Sequence, residues 1–251
     1  MNLLKNIFRI IWKAWFYGWV LCTIIPIFPI LFILLSKEKW YPYFYKFAHA
    51  WGKTILFVMG FKVKVEGKEK IEKHKSYLFC PNHTSMIDIM LMLAVSKNPF
   101  VFVGKKELAK IPVFGYVFKK SSIMVDRSSR ESARNAFNDA QRKLANGRSV
   151  CIFPEGGVPE EHILLDDFKS GAFRMAIEHQ IPIVPITFYD CKKRFSYTFF
   201  SGSPGVLRVK IHDLISPKNH TLEDRNILKQ KTYDVLYKSL VTDLEKQQNL
   251  K

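Results

Sequence analysis

Cysteine is scarce in this sequence, and its placement excludes two kinds of site. Four cysteines occur among 251 residues: Cys22, Cys80, Cys151 and Cys191. No two of them form a CxxC pair, so neither a zinc site nor a disulfide framework is indicated. Scattered thiols in apolar runs are typical of buried cysteines in a reducing compartment.

Familiar nucleophile motifs are also missing. The chain has no G-x-S-x-G sequence, and no cysteine lies in a recognisable nucleophile motif. A serine or thiol hydrolase is therefore not indicated. There is no internal repeat, no low-complexity segment and no recognisable nucleic-acid module, so we expect no nucleic-acid partner.

Acidic residues are few relative to basic ones. Asp and Glu number 22 against 39 Lys and Arg, which gives a net charge of +17. Such a field attracts anionic partners, for example acidic lipid headgroups or an acidic carrier protein. The charge alone also permits a remote alternative, a non-catalytic basic protein associated with membranes. The 21 phenylalanines point toward contact with lipid.

An apolar stretch of 22 residues without charge extends from Ala14 to Leu35. Crossing a bilayer takes roughly 20 apolar residues, so this run predicts a retained, membrane-embedded helical segment. Pro26 and Pro29 would break a straight helix, which leaves a kinked span and two half-helices in one leaflet as alternatives. The aromatic segment Trp40 to Met59 predicts an interfacial helix, with a helix packed on the domain core as the alternative.

From Phe61 onward, strand and helix patterns alternate. Strands are predicted at 62–67, 77–80, 100–103, 122–125, 150–153, 183–188 and 207–211. Helices are predicted at 86–94, 104–110, 128–146, 166–178 and 222–246. This alternation is typical of an α/β fold with a mostly parallel central sheet flanked by helices.

The stretch from Asn82 to Asp88 lies where a strand ends and a helix begins. His83 would therefore lie at the edge where open α/β sheets bind ligands. Histidine is a common general base, and a carboxylate on its other ring nitrogen would orient it. Asp88 is the candidate, provided that a turn separates it from His83. The alternative is a capping box, Ser85-x-x-Asp88, in which Asp88 bonds only backbone N–H groups.

Two further groups follow predicted strands. The turn Pro154-Glu155-Gly156-Gly157 offers backbone N–H groups that could stabilise an oxyanion, with a plain glycine turn as the alternative. Lys105, Lys106 and Arg127 lie at strand ends and could hold a phosphate or a carboxylate. Singly, each of these charges is more often a solvated surface residue.

Four blocks together resemble the glycerolipid acyltransferases, the lysophosphatidic acid acyltransferase family. Asn82–Asp88 matches the family's N-H-x-x-x-x-D motif. The remaining blocks, in the family's order, are 104–115 with 123–127, then 153–156, then 183–186. The resemblance covers roughly residues 60 to 215.

The resemblance implies acyl transfer without an acyl-enzyme intermediate. His83, oriented by Asp88, would deprotonate the sn-2 hydroxyl of lysophosphatidate, which attacks the thioester of acyl-CoA or acyl-carrier protein to make phosphatidate. Substrate-binding roles are implied for Asn82, Lys105, Arg127, Glu155 and Gly156. Of these, the lysine and the arginine would hold the acceptor phosphate, and the glutamate and the glycine would shape the acceptor site.

The resemblance also implies partners, location and domain organisation. No metal or bound cofactor is implied, and the expected partners are membrane lipids, the lysolipid acceptor and the acyl donor. Residues 1–60 would be membrane-anchoring helices at the cytoplasmic face of the inner membrane. Residues 61–251 would form the acyltransferase catalytic domain.

One block departs from the family pattern. Gly157-Val158-Pro159 stands where the third block usually continues with Thr-Arg-Ser. A phosphate clamp would lose one charge-assisted hydrogen bond, worth about 1.5–3 kcal/mol. Either the remaining cations suffice, helped by Lys169 or Arg174, or the acceptor is a lyso-amino-acid lipid built on ornithine or glycine.

Overall fold

The computed structural model describes residues 2–126, 129–198 and 200–249. The α-helices are α1 Asn2–Leu34, α2 Tyr41–Val58, α3 Ile87–Val95, α4 Phe114–Ser121, α5 Arg130–Ala145, α6 Gly171–Glu178, α7 Cys191–Arg194 and α8 Arg225–Gln248. The strands are β1 Phe61–Glu66, β2 Leu78–Pro81, β3 Phe100–Lys105, β4 Ile123–Val125, β5 Ser149–Cys151, β6 Ile183–Phe188 and β7 Gly205–Ile211. Short 3-10 turns occupy Glu38–Trp40, Lys68–Lys70, Lys106–Lys110 and Leu222–Asp224.

The strands form one sheet in the order β1-β7-β6-β2-β5-β3-β4. All neighbours are parallel except β6 and β7, which are antiparallel. The predicted α/β class with a mostly parallel sheet is therefore confirmed. Strand β2 is fully buried and lies between β6 and β5, so the turn that follows it opens at the middle of the sheet edge.

Helix α2 packs on α3 and on the edge of the sheet. The hydroxyl of Tyr41 donates to Phe100 O at 2.7 Å, and that of Tyr45 donates to Ser96 O at 3.0 Å. One face of α2 therefore belongs to the core, which was the alternative to an interfacial helix. The division of the chain near residue 60 stays a prediction.

Helix α1 is continuous and contains both Pro26 and Pro29. The two half-helices considered from the sequence are therefore wrong. Within the described part of the chain, one helix is long and apolar enough to cross a membrane by length and composition; it covers Leu3–Leu34, with a mean hydropathy of 2.2. Its first half contacts the domain through Phe16, which is buried against Phe195.

The predicted helix over 166–178 is wrong in its first part, because α6 begins at Gly171. The preceding backbone is committed elsewhere: Asp166 N–H donates to a carboxylate oxygen of Glu155, and Lys169 N–H donates to Pro154 O. The predicted helix over 104–110 also begins later. Gly104 pairs with β4 as part of β3, and only Lys106–Lys110 turn as a 3-10 helix.

Candidate active site

Asn82 begins the turn after β2 and ties it to β6. Its side-chain amide donates to Phe188 O at 3.1 Å and its carbonyl oxygen accepts from Phe188 N–H at 2.7 Å. The side chain is buried, with 1% exposure. This pairing fixes where the turn leaves the sheet edge, while the predicted contact of Asn82 with substrate stays a prediction.

His83 and Asp88 meet across this turn. His83 Nδ1 lies 2.9 Å from Asp88 Oδ2, which also accepts from Thr84 N–H at 2.6 Å and from Ser85 N–H at 2.8 Å. Residues five apart do not share a helix face, but 83–86 precede α3 and curl around the carboxylate. The alternative in which Asp88 bonds only backbone N–H groups is therefore wrong, because the same carboxylate oxygen also contacts the imidazole.

The geometry around Asp88 defines which ring nitrogen is available for chemistry. Asp88 is fully buried, and a buried carboxylate accepts hydrogen bonds. His83 Nδ1 therefore carries the proton that it donates to Asp88, and Nε2 is left as the proton acceptor. The His83 side chain keeps 17% of its surface exposed, so a ligand can reach it.

The ring of His83 stacks on Phe153. Their centroids lie 4.1 Å apart with planes at 21°, and Phe153 stacks in turn near Phe102 at 6.1 Å. This stacking restrains the plane of the imidazole ring. The role of Phe153 was missed from the sequence, although its place directly after β5 and before Pro154 was the signal that could have found it.

Glu155 lies beneath the turn and not at its surface. Its Oε1 accepts from His83 N–H at 2.7 Å, its Oε2 accepts from Asp166 N–H at 3.0 Å, and only 3% of the residue is exposed. Burial raises the pKa of Glu155 to about 7, opposed by the two backbone donors. The contacts described by the structure are those of a positioning residue, and a direct contact with the acceptor stays a prediction.

Gly156 occupies a left-handed conformation, with φ of 82°. Glycine adopts this conformation without the steric strain that a side chain brings. Its N–H donates to Phe153 O at 3.0 Å, which closes the turn. Because this N–H is used inside the turn, it is not free to stabilise an oxyanion as the sequence suggested.

The predicted phosphate-binding cations are described in part. Lys105 is exposed at the carboxyl end of β3, in register with Val125 of β4. Strands β2, β5 and β3 are neighbours and run parallel, so their carboxyl ends lie at the same edge of the sheet. Lys105 therefore lies at the edge that also carries His83, with β5 between the two strands. Arg127 lies outside the described residues.

Ser85 is a second residue that sequence analysis missed. Its hydroxyl donates to Phe195 O, and the residue is completely buried. Together with the pairing of Asn82 and Phe188, this contact places the turn against the chain that follows β6. The sequence offered only Ser85 as a capping residue, which gave no signal for a partner so distant in the chain.

One cysteine adjoins this site: Cys191 lies beside the carboxylate of Asp88, whose charge adds to the rise that burial causes in the pKa of this thiol. Cys80, Cys151 and Cys191 are buried and free, and burial raises the pKa of each thiol. Among the described residues, no group of three or more His, Cys, Asp and Glu side chains is arranged to hold a metal ion.

Comparison with known proteins identifies the family of the chain. The family model described as Acyltransferase matches residues 62–189, half of the chain. The chain belongs to the acyltransferase family. It is 30% identical over 197 residues to a 1-acyl-sn-glycerol-3-phosphate acyltransferase of Saccharomyces cerevisiae, covering 77% of this chain and 64% of that protein.

A second relative has a different acceptor in its name. The lyso-ornithine lipid O-acyltransferase of Rhizobium meliloti is 28% identical over 176 residues, covering 69% of this chain and 56% of that protein. The chain thus spans less than two thirds of the length of each of these two relatives. The crystal structure of the 1-acyl-sn-glycerophosphate acyltransferase from Thermotoga maritima matches with a TM-score of 0.78, 24% identity and 98% coverage of both chains, which supports the fold.

Proposed function

We propose that this protein transfers an acyl chain from an acyl thioester to the sn-2 hydroxyl of lysophosphatidate. The observation that carries the proposal is the contact of 2.9 Å between His83 Nδ1 and Asp88 Oδ2. It leaves Nε2 of an accessible imidazole at the sheet edge. Relatives named as 1-acyl-sn-glycerol-3-phosphate acyltransferases support the choice of acceptor.

The reaction proceeds in one sequence of proton and acyl transfers. Nε2 of His83 takes the proton of the acceptor hydroxyl as its oxygen attacks the thioester carbonyl. The carbonyl becomes a tetrahedral oxyanion, and Asp88 stabilises the imidazolium that forms. Collapse breaks the carbon–sulfur bond, the thiolate leaves, and the imidazolium returns its proton to the sulfur. An ester and a free thiol result, with no covalent enzyme intermediate.

The donor is acyl-CoA or acyl-carrier protein. Both are anionic, and a protein with a net charge of +17 attracts either of them. Lys105 and Arg127 hold the acceptor phosphate in this proposal. No metal or bound cofactor takes part in any step.

The protein works at a membrane in this proposal, at the cytoplasmic face where the thioester donors are found. The support is α1, whose segment Leu3–Leu34 is apolar and mostly unburied by the rest of the chain. A lysolipid acceptor lies in the same membrane, so an anchored enzyme meets it without extracting it into water.

Replacing the proposed base tests the reaction. The variant His83→Ala should abolish acyl transfer from an acyl thioester to lysophosphatidate while its circular dichroism spectrum and melting temperature stay close to those of the wild type. His220→Ala, at a surface turn before α8, is the matched control and should keep full activity. Wild-type rates in the His83→Ala variant would exclude the proposal.

A lyso-ornithine lipid is the second candidate acceptor. The observations that favour it are the relative of that name and the sequence Gly157-Val158-Pro159, where a phosphate-binding arginine is usual in the family. Parallel assays of the purified protein with lysophosphatidate and lyso-ornithine lipid, each with acyl-CoA and acyl-carrier protein, decide between them. A ratio of kcat/KM above about a hundredfold in favour of one acceptor would assign it.

A further inference from the structure

The segment from Lys106 to Lys120 exposes apolar side chains at the edge of the sheet that carries His83. It begins directly after β3, turns through the 3-10 helix Lys106–Lys110 and continues into α4. Leu108, Ile111 and Phe114 remain 38%, 46% and 38% exposed. Large apolar side chains clustered on a surface mark a site of interaction when they share one short element.

The backbone of this segment makes a tight turn around residues 111–115, which form its tip. Val113 has φ of 63°, rare for a β-branched residue, and Phe114 N–H donates to Pro112 O at 2.6 Å. Gly115 N–H donates to Ile111 O at 2.7 Å. A side chain at Gly115 would meet Ala109 O at 2.3 Å, so the turn closes tightly at a glycine.

The exposed tip is not a loosely attached loop. Phe114 stacks on Phe118 with centroids 5.7 Å apart, and Phe118 is buried over Gly104 of β3. The base of the segment is therefore anchored in the core, while its tip is available to a partner.

The segment also contacts α1. Tyr116 lies against Phe28 and Phe32, with centroid distances of 5.7 and 5.0 Å. Next to this contact α1 exposes Phe32 and Ile33, at 51% and 56%. The apolar surface of the proposed membrane helix and that of the 106–120 segment are thus neighbours.

Charge identifies the occupant of this surface. Between Lys105 and Lys120 there are five lysines and one acidic residue, Glu107, all of them exposed. Lysines that surround exposed apolar side chains are typical of elements that lie in the headgroup region of a membrane with anionic lipids. An acidic carrier protein could bind the lysines, but its charge does not explain why Leu108, Ile111 and Phe114 are exposed.

We propose that the 106–120 segment is a second membrane contact, in which Leu108, Ile111 and Phe114 enter a leaflet and the lysines meet anionic headgroups. The inference rests on the membrane location in the proposed function. It places the edge of the sheet that carries His83 against the leaflet, so that the lysolipid hydroxyl reaches Nε2 while the acyl chain of the acceptor stays in lipid.

Fluorescence quenching tests the contact without relying on activity. In a Cys22→Ser background, which removes the exposed thiol, Ile111→Cys is labelled with an environment-sensitive dye and the full chain is reconstituted in vesicles. Ile227→Cys, on α8 and 57% exposed, is the matched control. Brominated phospholipids should quench the dye at position 111 at least about twofold more than the dye at position 227.

The contribution of the lysines is tested by separate variants. Lys106→Gln with Lys110→Gln should weaken quenching at position 111 in vesicles of phosphatidylglycerol and leave it unchanged in vesicles of phosphatidylcholine alone. Equal quenching at positions 111 and 227 in every vesicle would overturn the proposal. A response of the dye at 111 to acyl-carrier protein, and none to lipid, would also overturn it and assign the surface to the carrier.

An activity assay separates this proposal from the proposed function. Ile111→Glu should lower the rate on lysolipid embedded in vesicles about tenfold and leave the rate on detergent-dispersed lysolipid unchanged, whereas Ile227→Glu should change neither. An equal loss in both assays would contradict a membrane role. A wild-type protein without transferase activity would refute the proposed function, while the quenching result would still be readable.

Discussion

The carboxylate of Glu155 accepts a hydrogen bond from the backbone N–H of His83, with 2.7 Å between Oε1 and the amide nitrogen. The two residues are 72 positions apart in the chain. The second oxygen of the carboxylate holds the N–H of Asp166. One buried side chain thus joins the turn after β2, the turn after β5 and the approach to α6. The position of the imidazole depends on a carboxylate that does not touch its ring.

Replacing Glu155 should lower turnover more than it lowers substrate binding. In Glu155→Gln one of the two backbone N–H groups faces an amide NH2 and loses its acceptor. Leaving a buried N–H without an acceptor costs about 1–3 kcal/mol, so we expect kcat to fall about tenfold to a hundredfold, with KM for the thioester little changed. Steady-state kinetics and a thermal melt measure both effects.

Glu160→Gln serves as the control, because Glu160 lies near in sequence and its side chain is 79% exposed. It should change neither kcat nor the melting temperature. If Glu155→Gln retained wild-type kcat, the positioning role of Glu155 would be wrong.

Asn82 should matter for stability as well as activity. Asn82→Ala removes both hydrogen bonds to Phe188 and leaves a buried N–H and a buried carbonyl without partners. Each such loss costs about 1–3 kcal/mol, so a drop in unfolding free energy of about 2–6 kcal/mol is expected. Chemical denaturation of this variant beside Asn226→Ala, an exposed position on α8, measures it. Equal stability of the two variants would contradict the pair of hydrogen bonds between Asn82 and Phe188.

The sequence predicts local order well and distant partners poorly. Alternation of apolar runs predicts β6 without error in its bounds, and the motif predicts the contact of His83 with Asp88, five residues away. Phe188 is 106 residues from Asn82, and no local pattern connects them. Such pairs can be predicted only when the strand order is known, and the packing of the whole sheet decides that order.

The predicted start of α6 is wrong for the same reason, because it depends on contacts outside the local sequence. Two aspartates before a helical pattern are a reasonable start signal. The N–H of Asp166 instead serves Glu155, and that of Lys169 serves Pro154. A buried carboxylate that needs donors outweighs a local propensity worth a few tenths of a kcal/mol per residue.

Asp88→Asn separates the charge of Asp88 from its role in orientation. Because Oδ2 accepts from two backbone N–H groups and from the imidazole, an asparagine oxygen at this place keeps the geometry. The imidazolium then loses its counter-charge but the ring keeps its tautomer. We expect kcat to fall about a hundredfold, less than the ~10⁴-fold loss known when such a substitution reverses the tautomer.

Kinetics and the ¹⁵N chemical shifts of the His83 ring test this expectation together. Asp88→Ala, which also removes the acceptor for the two backbone groups, should be both less active and less stable than Asp88→Asn. A loss in Asp88→Asn as large as that in His83→Ala, with the proton moved to Nε2, would show that the amide had turned around.

Gly115 should tolerate no side chain, whereas Gly157 should. A Cβ at Gly115 would lie 2.3 Å from Ala109 O, which is backbone and cannot move aside, while no heavy atom lies within 4 Å of a Cβ at Gly157. Gly115→Ala should lose about 1–3 kcal/mol of stability, and Gly157→Ala should stay within about 0.5 kcal/mol of the wild type. Denaturant titrations of the two variants give the comparison, and a Gly115→Ala protein as stable as the wild type would refute the described turn.

His212 should make the fold sensitive to mild acid. Burial lowers the pKa of His212 to about 4, and Lys210 and Lys70 add to the shift. The ring lies 2.8 Å from the hydroxyl of Thr187, and Glu66 and Asp213 oppose the shift. Since the unfolded chain takes up this proton near pH 6.5 and the folded chain only near pH 4, stability contributed by the neutral ring is complete above pH 6.5 and is lost as the pH falls toward 4.

The variant His212→Gln removes this proton while it keeps a group that can bond Thr187. The wild type should lose about 1–2 kcal/mol between pH 6.5 and 4 through this residue, a value below the full effect of the shift because the ring is partly open to solvent. The variant should show a correspondingly flatter profile in denaturant titrations across that range. His74→Gln, at an exposed turn, should follow the wild-type profile, and parallel curves for wild type and His212→Gln would mean that the ring is protonated in the folded protein as readily as in the unfolded chain.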